Sequence, residues 1–229
     1  MTDLPILDLA GESVDQAALD RLLSAGAPRR LAHADFAGLA FGEADLGGWQ
    51  FEACNVGRCK FARTRLTETR WSGCKAAFAD FGRADLVDAE IVASDFNNAV
   101  FRQTVLTSAA FRRVKLTGAD FTDARTVDLT LEEVMAIDAR LPKVSFRDRR
   151  LTRVDLSSAL LEGADFRDAV FEDCSLRDAQ LARARFEGAD LRGADLGGIR
   201  LGDAVRFRGA VISRAQATAL LQELGLRVM

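Results

Sequence analysis

From Leu31 to Leu201 a large apolar residue returns at almost every fifth position, the phase slipping at Ala76, Thr126 and Ala136. The run Leu31, Phe36, Phe41, Leu46, Phe51, Val56, Phe61, Leu66 and Trp71 passes Ala76. It continues through Phe81, Leu86, Ile91, Phe96, Phe101, Leu106, Phe111, Leu116 and Phe121, and the same phase holds from Phe146 to Leu201. A period of five fits neither the 3.6 of a helix nor the 2 of a strand. It belongs to a repeat architecture, in which each unit buries its apolar side only against its neighbours.

A second column runs two residues ahead of the first. It holds small side chains: Ala34, Ala44, Cys54, Cys59, Thr64, Thr69, Cys74 and Ala79, and later Ala159, Ala164, Ala169, Cys174 and Ala179. Aspartate often stands between small and large, as in Ala34-Asp35-Phe36, Ala84-Asp85-Leu86, Ala119-Asp120-Phe121 and Ala194-Asp195-Leu196. This pattern resembles the pentapeptide-repeat family, whose motif is A(D/N)LXX. The resemblance implies an all-β solenoid: a right-handed quadrilateral β-helix with one pentapeptide per side and twenty residues per coil. The segments outside the repeat predict short N-terminal, internal and C-terminal helices.

With twenty residues per coil, residues twenty apart stack at ~4.8 Å. Phe41, Phe61, Phe81, Phe101 and Phe121 then form one inner stack, and Leu46, Leu66, Leu86 and Leu106 the next. Charges keep the same period. Lys60, Arg65, Arg70 and Lys75 look like a basic patch, but twenty residues on stand Asp80, Asp85, Glu90 and Asp95. The matched signs favour a coil-to-coil ladder that fixes register over a nucleic-acid surface, which would leave its charges unmatched.

Formal net charge is −3. Residues 31–125 carry twelve acids and twelve bases, and residues 146–212 again twelve and twelve, so overall charge names no partner. Cys54, Cys59, Cys74 and Cys174 all fall in the small column, which makes them core filler in a reducing compartment rather than disulfides or zinc ligands. The acidic first thirty residues lack a basic start and an apolar run, and no apolar stretch approaches eighteen residues. No signal peptide or membrane span is expected, and the expected location is cytoplasmic.

Three segments carry helix signals. Ser13 and Gln16 make a capping box before Val14–Ser24, read as a plug on the first coil. Thr130 and Glu133 make another, followed by Val134, Met135, Ile137 and Leu141 and stopped by Pro142. Asp128–Lys143 is therefore expected to be a helical excursion from the wall, a plug between blocks, or a linker. Ser213 caps a helix running to about Leu224, with Ala217, Leu220, Leu221 and Leu224 on one face. The expected organisation is a capping segment (1–30), a first β-helix (31–125), a helical interruption (126–145), a second β-helix (146–212) and a C-terminal cap or dimerisation segment (213–229). Local irregularities are expected at Trp49 and Arg149, large residues in the small column. Ala76 is small in the large column, with Phe78 able to fill space beside it. Beyond Leu201, Val205 and Phe207 slip the phase by one.

No enzyme is expected. The chain has one histidine, His33, and no tyrosine, so no nucleophile–His–acid set assembles. Glycines sit singly at turn positions rather than in a phosphate-binding loop. No metal or cofactor is expected. The C-terminal helix resembles the one through which quinolone-resistance members of the family form end-to-end homodimers, here through Leu220, Leu221, Leu224 and Leu226. That resemblance implies a non-catalytic DNA mimic, binding DNA gyrase or another type II topoisomerase and modulating it or protecting it from quinolones or a toxin. No direct nucleic-acid contact is expected. The acidic residues assigned to such a partner are Asp165, Asp168, Glu172, Asp173, Asp178, Glu187, Asp190, Asp195 and Asp203, with Glu132 and Glu133 in the interruption. Arg58, Arg63, Arg112 and Arg113 dilute the acid elsewhere, and Arg167, Arg177, Arg185 and Arg192 dilute it within the zone. The other reading is a rigid scaffold or adaptor for a different protein.

Overall fold

The five-residue side is a short extended segment closed by a tight turn. On the sides that carry no strand, the N–H of the small residue reaches back to the carbonyl of the large residue three before it, as in Cys59 to Val56 (3.1 Å), Thr64 to Phe61 (3.0 Å) and Ala84 to Phe81 (2.9 Å). The residue before the small one takes positive φ: 57° at Arg58, 61° at Arg63, 60° at Arg83. This is the type II arrangement, which favours glycine at that place. An L-residue there costs about 1 kcal/mol. The next coil helps hold it, because the N–H of Arg58 donates to Ala77 O and that of Arg63 to Gly82 O, each at 3.0 Å.

The computed structural model describes residues 6–10, 12, 14–26, 29–199, 205–223 and 225–227. The chain falls into two units, Met1–Thr130 and Leu131–Met229. In the first, β1 (Ile6–Asp8), β2 (Arg30–Ala32), β3 (Gln50–Glu52), β4 (Arg70–Ser72), β5 (Glu90–Val92) and β6 (Ala110–Arg112) pair in parallel in that order. From β2 to β6 the register advances by twenty residues, for example Phe51↔Trp71↔Ile91↔Phe111. β1 meets β2 at an offset of twenty-four, Ile6↔Arg30, because helix α1 (Gln16–Ser24) lies between them. Other sides are joined by single bridges at the same period, among them Lys60↔Asp80, Arg65↔Asp85 and Lys75↔Asp95.

The core is aromatic. Phe41, Phe61, Phe81, Phe101 and Phe121 stack with successive centroid separations of 4.2, 4.9, 5.1 and 4.7 Å. Trp71 stacks on Phe51 at 4.0 Å and meets Phe61 edge-on at 5.7 Å. Each buried ring contributes ~1.5–3 kcal/mol. Polar members of the small column are satisfied across the coil: the hydroxyl of Thr104 donates to Phe81 O at 2.8 Å, and the thiols of Cys59 and Cys74 donate to Phe36 O and Phe51 O. The four predicted ladder pairs stand in backbone register, but among the described residues only Arg70–Glu90 closes as an ion pair, at 3.3 Å; Arg65 turns back to Asp45 at 2.6 Å instead of forward to Asp85.

In the second unit lie β8 (Arg150–Thr152), β9 (Val170–Glu172) and all but the first residue of β7 (Thr130–Glu132). A second sheet pairs β10 (Cys174–Ser175) with β11 (Ala194–Asp195). Phe146, Phe166 and Phe186 stack, and Phe207 extends the stack at 4.6 Å despite its offset of twenty-one. Val211 keeps the same offset of twenty-one in its bridge to Asp190. Helix α2 (Arg214–Glu223) is capped reciprocally: Ser213 N donates to Gln216 Oε1 (2.6 Å) and Gln216 N to Ser213 Oγ (3.1 Å).

Several expectations are overturned. The interruption is not a helix. On the first unit's side, Leu129 is buried and Thr130 N donates to Ala109 O. In the second, Leu131, Val134, Ala136, Ala139, Leu141 and Val144 are all buried. Their steps of three and two are the wall's own inward pattern, and it shares enough positions with a helical face to imitate one. Glu133 is not a cap but pairs Arg153, twenty residues on, at 2.6 Å. Pro142 is not a stop. It occupies the second position of a turn, where its fixed φ is favourable, ahead of Lys143 at φ 57°.

At the N-terminus, α1 begins at Gln16 and its cap is Asp15, whose carboxylate accepts from Ala18 N; Ser13 lies outside the described residues. Strand β1 had no expectation. Trp49 points inward, 2 % exposed, and its ring lies 6.3 Å from that of Phe51. Arg149 is exposed. Phe78 fills no space beside Ala76: it is 54 % exposed, while Ala76 is buried.

Candidate partner-binding surfaces

The acidic residues singled out from the sequence lie on several sides of the second unit. Asp165 bonds Arg167 Nε at 2.8 Å. Asp190 bonds Arg192 Nε at 2.9 Å and also accepts its backbone N–H. Asp195 accepts from Arg177 Nε (2.9 Å) and Nη2 (3.1 Å). Glu172 pairs Arg150, Glu187 lies 3.6 Å from Arg185, and Asp168 lies 4.0 Å from Arg147. The Asp178 carboxylate lies over Gly198, where a Cβ would meet it at 2.0 Å. Asp203 lies outside the described residues. The acidic zone is therefore interleaved with guanidinium groups rather than being a uniform carboxylate stripe.

The arginines set the titration of these acids. The Arg167 guanidinium holds Asp165 below the usual carboxylate range, and Arg192 pulls Asp190 down to about 2. In the other direction, burial pushes the Cys59 thiol up to about 12. All four cysteines are free and buried.

Three of the predicted acids converge. Glu172, Asp173 and Asp190 line a shallow groove of about 510 Å³ with Thr152, Arg153, Arg192 and Gly193. Gly193 permits it, since a Cβ there would stand 2.5 Å from Phe171 O. Asp165, Asp168, Asp178, Glu187 and Asp195 do not line this groove. Glu132 and Glu133 stand on the strand-bearing side, on and just after β7.

Of the dimerisation residues, Leu220 is half-buried, Leu221 is 39 % exposed and Leu226 is exposed; Leu224 lies outside the described residues. Val211 and Ile212, which the sequence reading did not single out, add exposed apolar surface just before α2. Among the described residues no cluster of His, Cys, Asp and Glu is placed to hold a metal ion, and no helix is long and apolar enough to cross a membrane. His33, at φ 56°, is an exposed residue 3.1 Å from Asp8.

Parallel coils of twenty residues, turned at left-handed corners and filled by a large and a small column, define a β-helix of five-residue sides. The chain belongs to the pentapeptide-repeat family, whose model matches it in eight copies over residues that include 84–123 and 150–218. No curated protein matches it in sequence. Among solved structures it is similar to full-length QnrB1, described as a plasmid-mediated fluoroquinolone resistance protein. The TM-score is 0.77 at 22 % identity, covering 86 % of this chain and 100 % of that one. A trypsin-treated R167E form of QnrB1 gives a TM-score of 0.76 at 23 % identity, covering 87 % of this chain and 100 % of that one. HetL, a pentapeptide-repeat protein involved in heterocyst differentiation regulation from the cyanobacterium Nostoc sp. strain PCC 7120, gives 0.57 at 22 % identity, covering 87 % and 98 %.

Proposed function

We propose that this is a non-catalytic, cytoplasmic protein-binding β-helix whose partner is DNA gyrase, which it modulates or protects from quinolones or a toxin, acting as a homodimer through α2. The observation that carries this reading is the likeness to QnrB1 over nearly the whole of both chains. The exposed apolar set of Val211, Ile212, Leu221 and Leu226 supports the dimer. In this reading Glu172, Asp173 and Asp190 contact the partner at their groove, together with Glu132, Glu133 and the remaining acids of the zone. The test is gyrase supercoiling with and without a quinolone. Inhibition, or protection from the drug, is expected at micromolar protein, and the absence of both would end the reading. Light scattering tests the dimer: a mass near twice 24.9 kDa is expected, falling to a monomer's when the chain stops before Ser213.

A second reading, a scaffold or adaptor for a different protein, is favoured by one observation. Asp165, Glu172, Asp190 and Asp195 are each matched by an arginine, which weakens mimicry of a polyanion. An unaltered supercoiling reaction would favour it.

A further inference from the structure

Phe78 stands where this fold least favours an aromatic ring. It takes φ 61°, the left-handed corner, and its side chain is 54 % exposed. The same corner in the coils of the first unit is held by Gly38, Arg58, Asn98 and Gly118, glycine or polar side chains in every case. A bulky residue there carries backbone strain and gains little burial. Arg58, one coil before, places its guanidinium 5.5 Å from the Phe78 ring centroid. Among the described residues Arg58 makes no ion pair, whereas Arg63, Arg65 and Arg70 of the same coil each pair a carboxylate. Its contact with the ring orients the guanidinium and leaves its N–H donors to solvent. Beside this pair the outward column is flat, formed by Gly57 and Ala77.

We propose that Phe78 and Arg58 form a docking surface for a protein partner that presents a carboxylate next to an apolar side chain. The carboxylate would take the fork of the unpaired guanidinium and the apolar group the exposed ring edge, the pairing of aromatic and arginine that anchors protein interfaces. A nucleic-acid strand fits less well, because the column beside the pair alternates in sign, with Asp35 and Asp95 against Lys75 and Lys115, and offers a polyanion no continuous basic track. The proposal rests on the chain being a protein-binding module, but not on gyrase being the partner.

The test is selection of twelve-residue peptides from a displayed library, followed by anisotropy titration of the enriched peptides, with labelled oligothymidylate as a second probe. Wild-type protein is expected to enrich peptides that combine Asp or Glu with Leu, Ile or Phe. Phe78→Ala is expected to weaken them at least about tenfold, and Arg58→Glu to shift enrichment to Lys and Arg. No enrichment, enrichment indifferent to both substitutions, or oligothymidylate binding that Phe78→Ala abolishes would each overturn the proposal. Because no gyrase is present, these outcomes are separate from those of the supercoiling assay. A thermal melt guards against a purely structural role. Phe78→Gly is expected to keep or raise the melting temperature, whereas a lower one means that the ring serves the fold and the proposal fails.

Discussion

Gln16 grips Ala40 from both sides. Its Oε1 accepts the Ala40 N–H at 3.0 Å and its Nε2 donates to the Ala40 carbonyl at 2.8 Å. At the other end of the chain, Gln216 Nε2 donates to the carbonyls of Leu191 and Ala194, each at 2.6 Å. A β-helix ends in unpaired strand edges that recruit other chains unless covered. Here a single glutamine at the start of each helix ties the helix to those edge groups.

Gln16→Ala should therefore destabilise the first unit by about 1 kcal/mol, the net value of such bonds at an accessible site. The local readout is sharper. Amide exchange at Ala40 should accelerate several-fold while that of Phe101, deep in the stack, stays unchanged. Unaltered exchange at Ala40 would show that α1 is held by Leu19 alone, the helix's fully buried residue.

Phe81 has no exposed surface and stacks on Phe61 and Phe101 at 4.9 and 5.1 Å. Phe81→Ala leaves a cavity between two rings held by their own coils, so it should lower stability by ~3–5 kcal/mol in urea unfolding. A loss under 1 kcal/mol would mean that neighbouring rings collapse into the space.

Phe81 and Phe78 also mark what could be read before the structure. Both columns, the coil period and the ladder Lys60–Asp80 to Lys75–Asp95 follow from spacing, because inward positions must be apolar and stacked residues must tolerate each other. Outward positions carry no constraint on residue type, so Phe78 could be taken for core filler although the spacing puts it at an outward corner, and the same twenty-residue period already sets Asp165, Asp178 and Asp190 on different sides. The false helix at Asp128–Lys143 arose because Leu131, Val134 and Leu141 satisfy a helical face and the wall alike. Only the twenty-residue partners, such as Arg153 for Glu133, tell them apart. The pairing of Asp165 with Arg167 and of Asp190 with Arg192 is a two-residue pattern visible in sequence, and it was the available sign that this zone is not a plain acidic stripe.

Asp190 gives a pH signature. Its carboxyl, ordinarily near 3.8, is held at about 2 by Arg192. A depressed folded-state value means that the fold favours the ionised form. The contribution is fully present above about pH 4 and is lost as pH falls toward 2. The Arg192 side chain is 63 % exposed, so screening limits the contribution to about 1 kcal/mol or less. Stability measured from pH 5 to pH 2 should fall less steeply in Asp190→Asn than in wild type. A carboxyl resonance of Asp190 titrating near 4 would sink this account.

Gly193 tests whether the groove depends on close backbone approach. A Cβ there would lie 2.5 Å from Phe171 O, 3.1 Å from Glu172 Cα and 3.3 Å from Asp173 N, all backbone atoms that cannot swing aside as a side chain would. Gly193→Ala must therefore push β11 from β10 and strain the bond from Cys174 N to Gly193 O, now 2.9 Å. The expected loss is ~1–3 kcal/mol, as for overpacked interiors. The shift should also loosen Cys174, whose thiol donates to Leu151 O at 3.3 Å, so its reaction with a thiol reagent should quicken. Gly42→Ala separates contact from backbone strain: it has positive φ, 61°, but no atom within 4 Å of its Cβ. It should cost about 1 kcal/mol and leave Cys174 unreactive. If Gly193→Ala costs no more than Gly42→Ala and leaves Cys174 unreactive, the backbone relaxes around the added methyl and close approach does not govern Gly193.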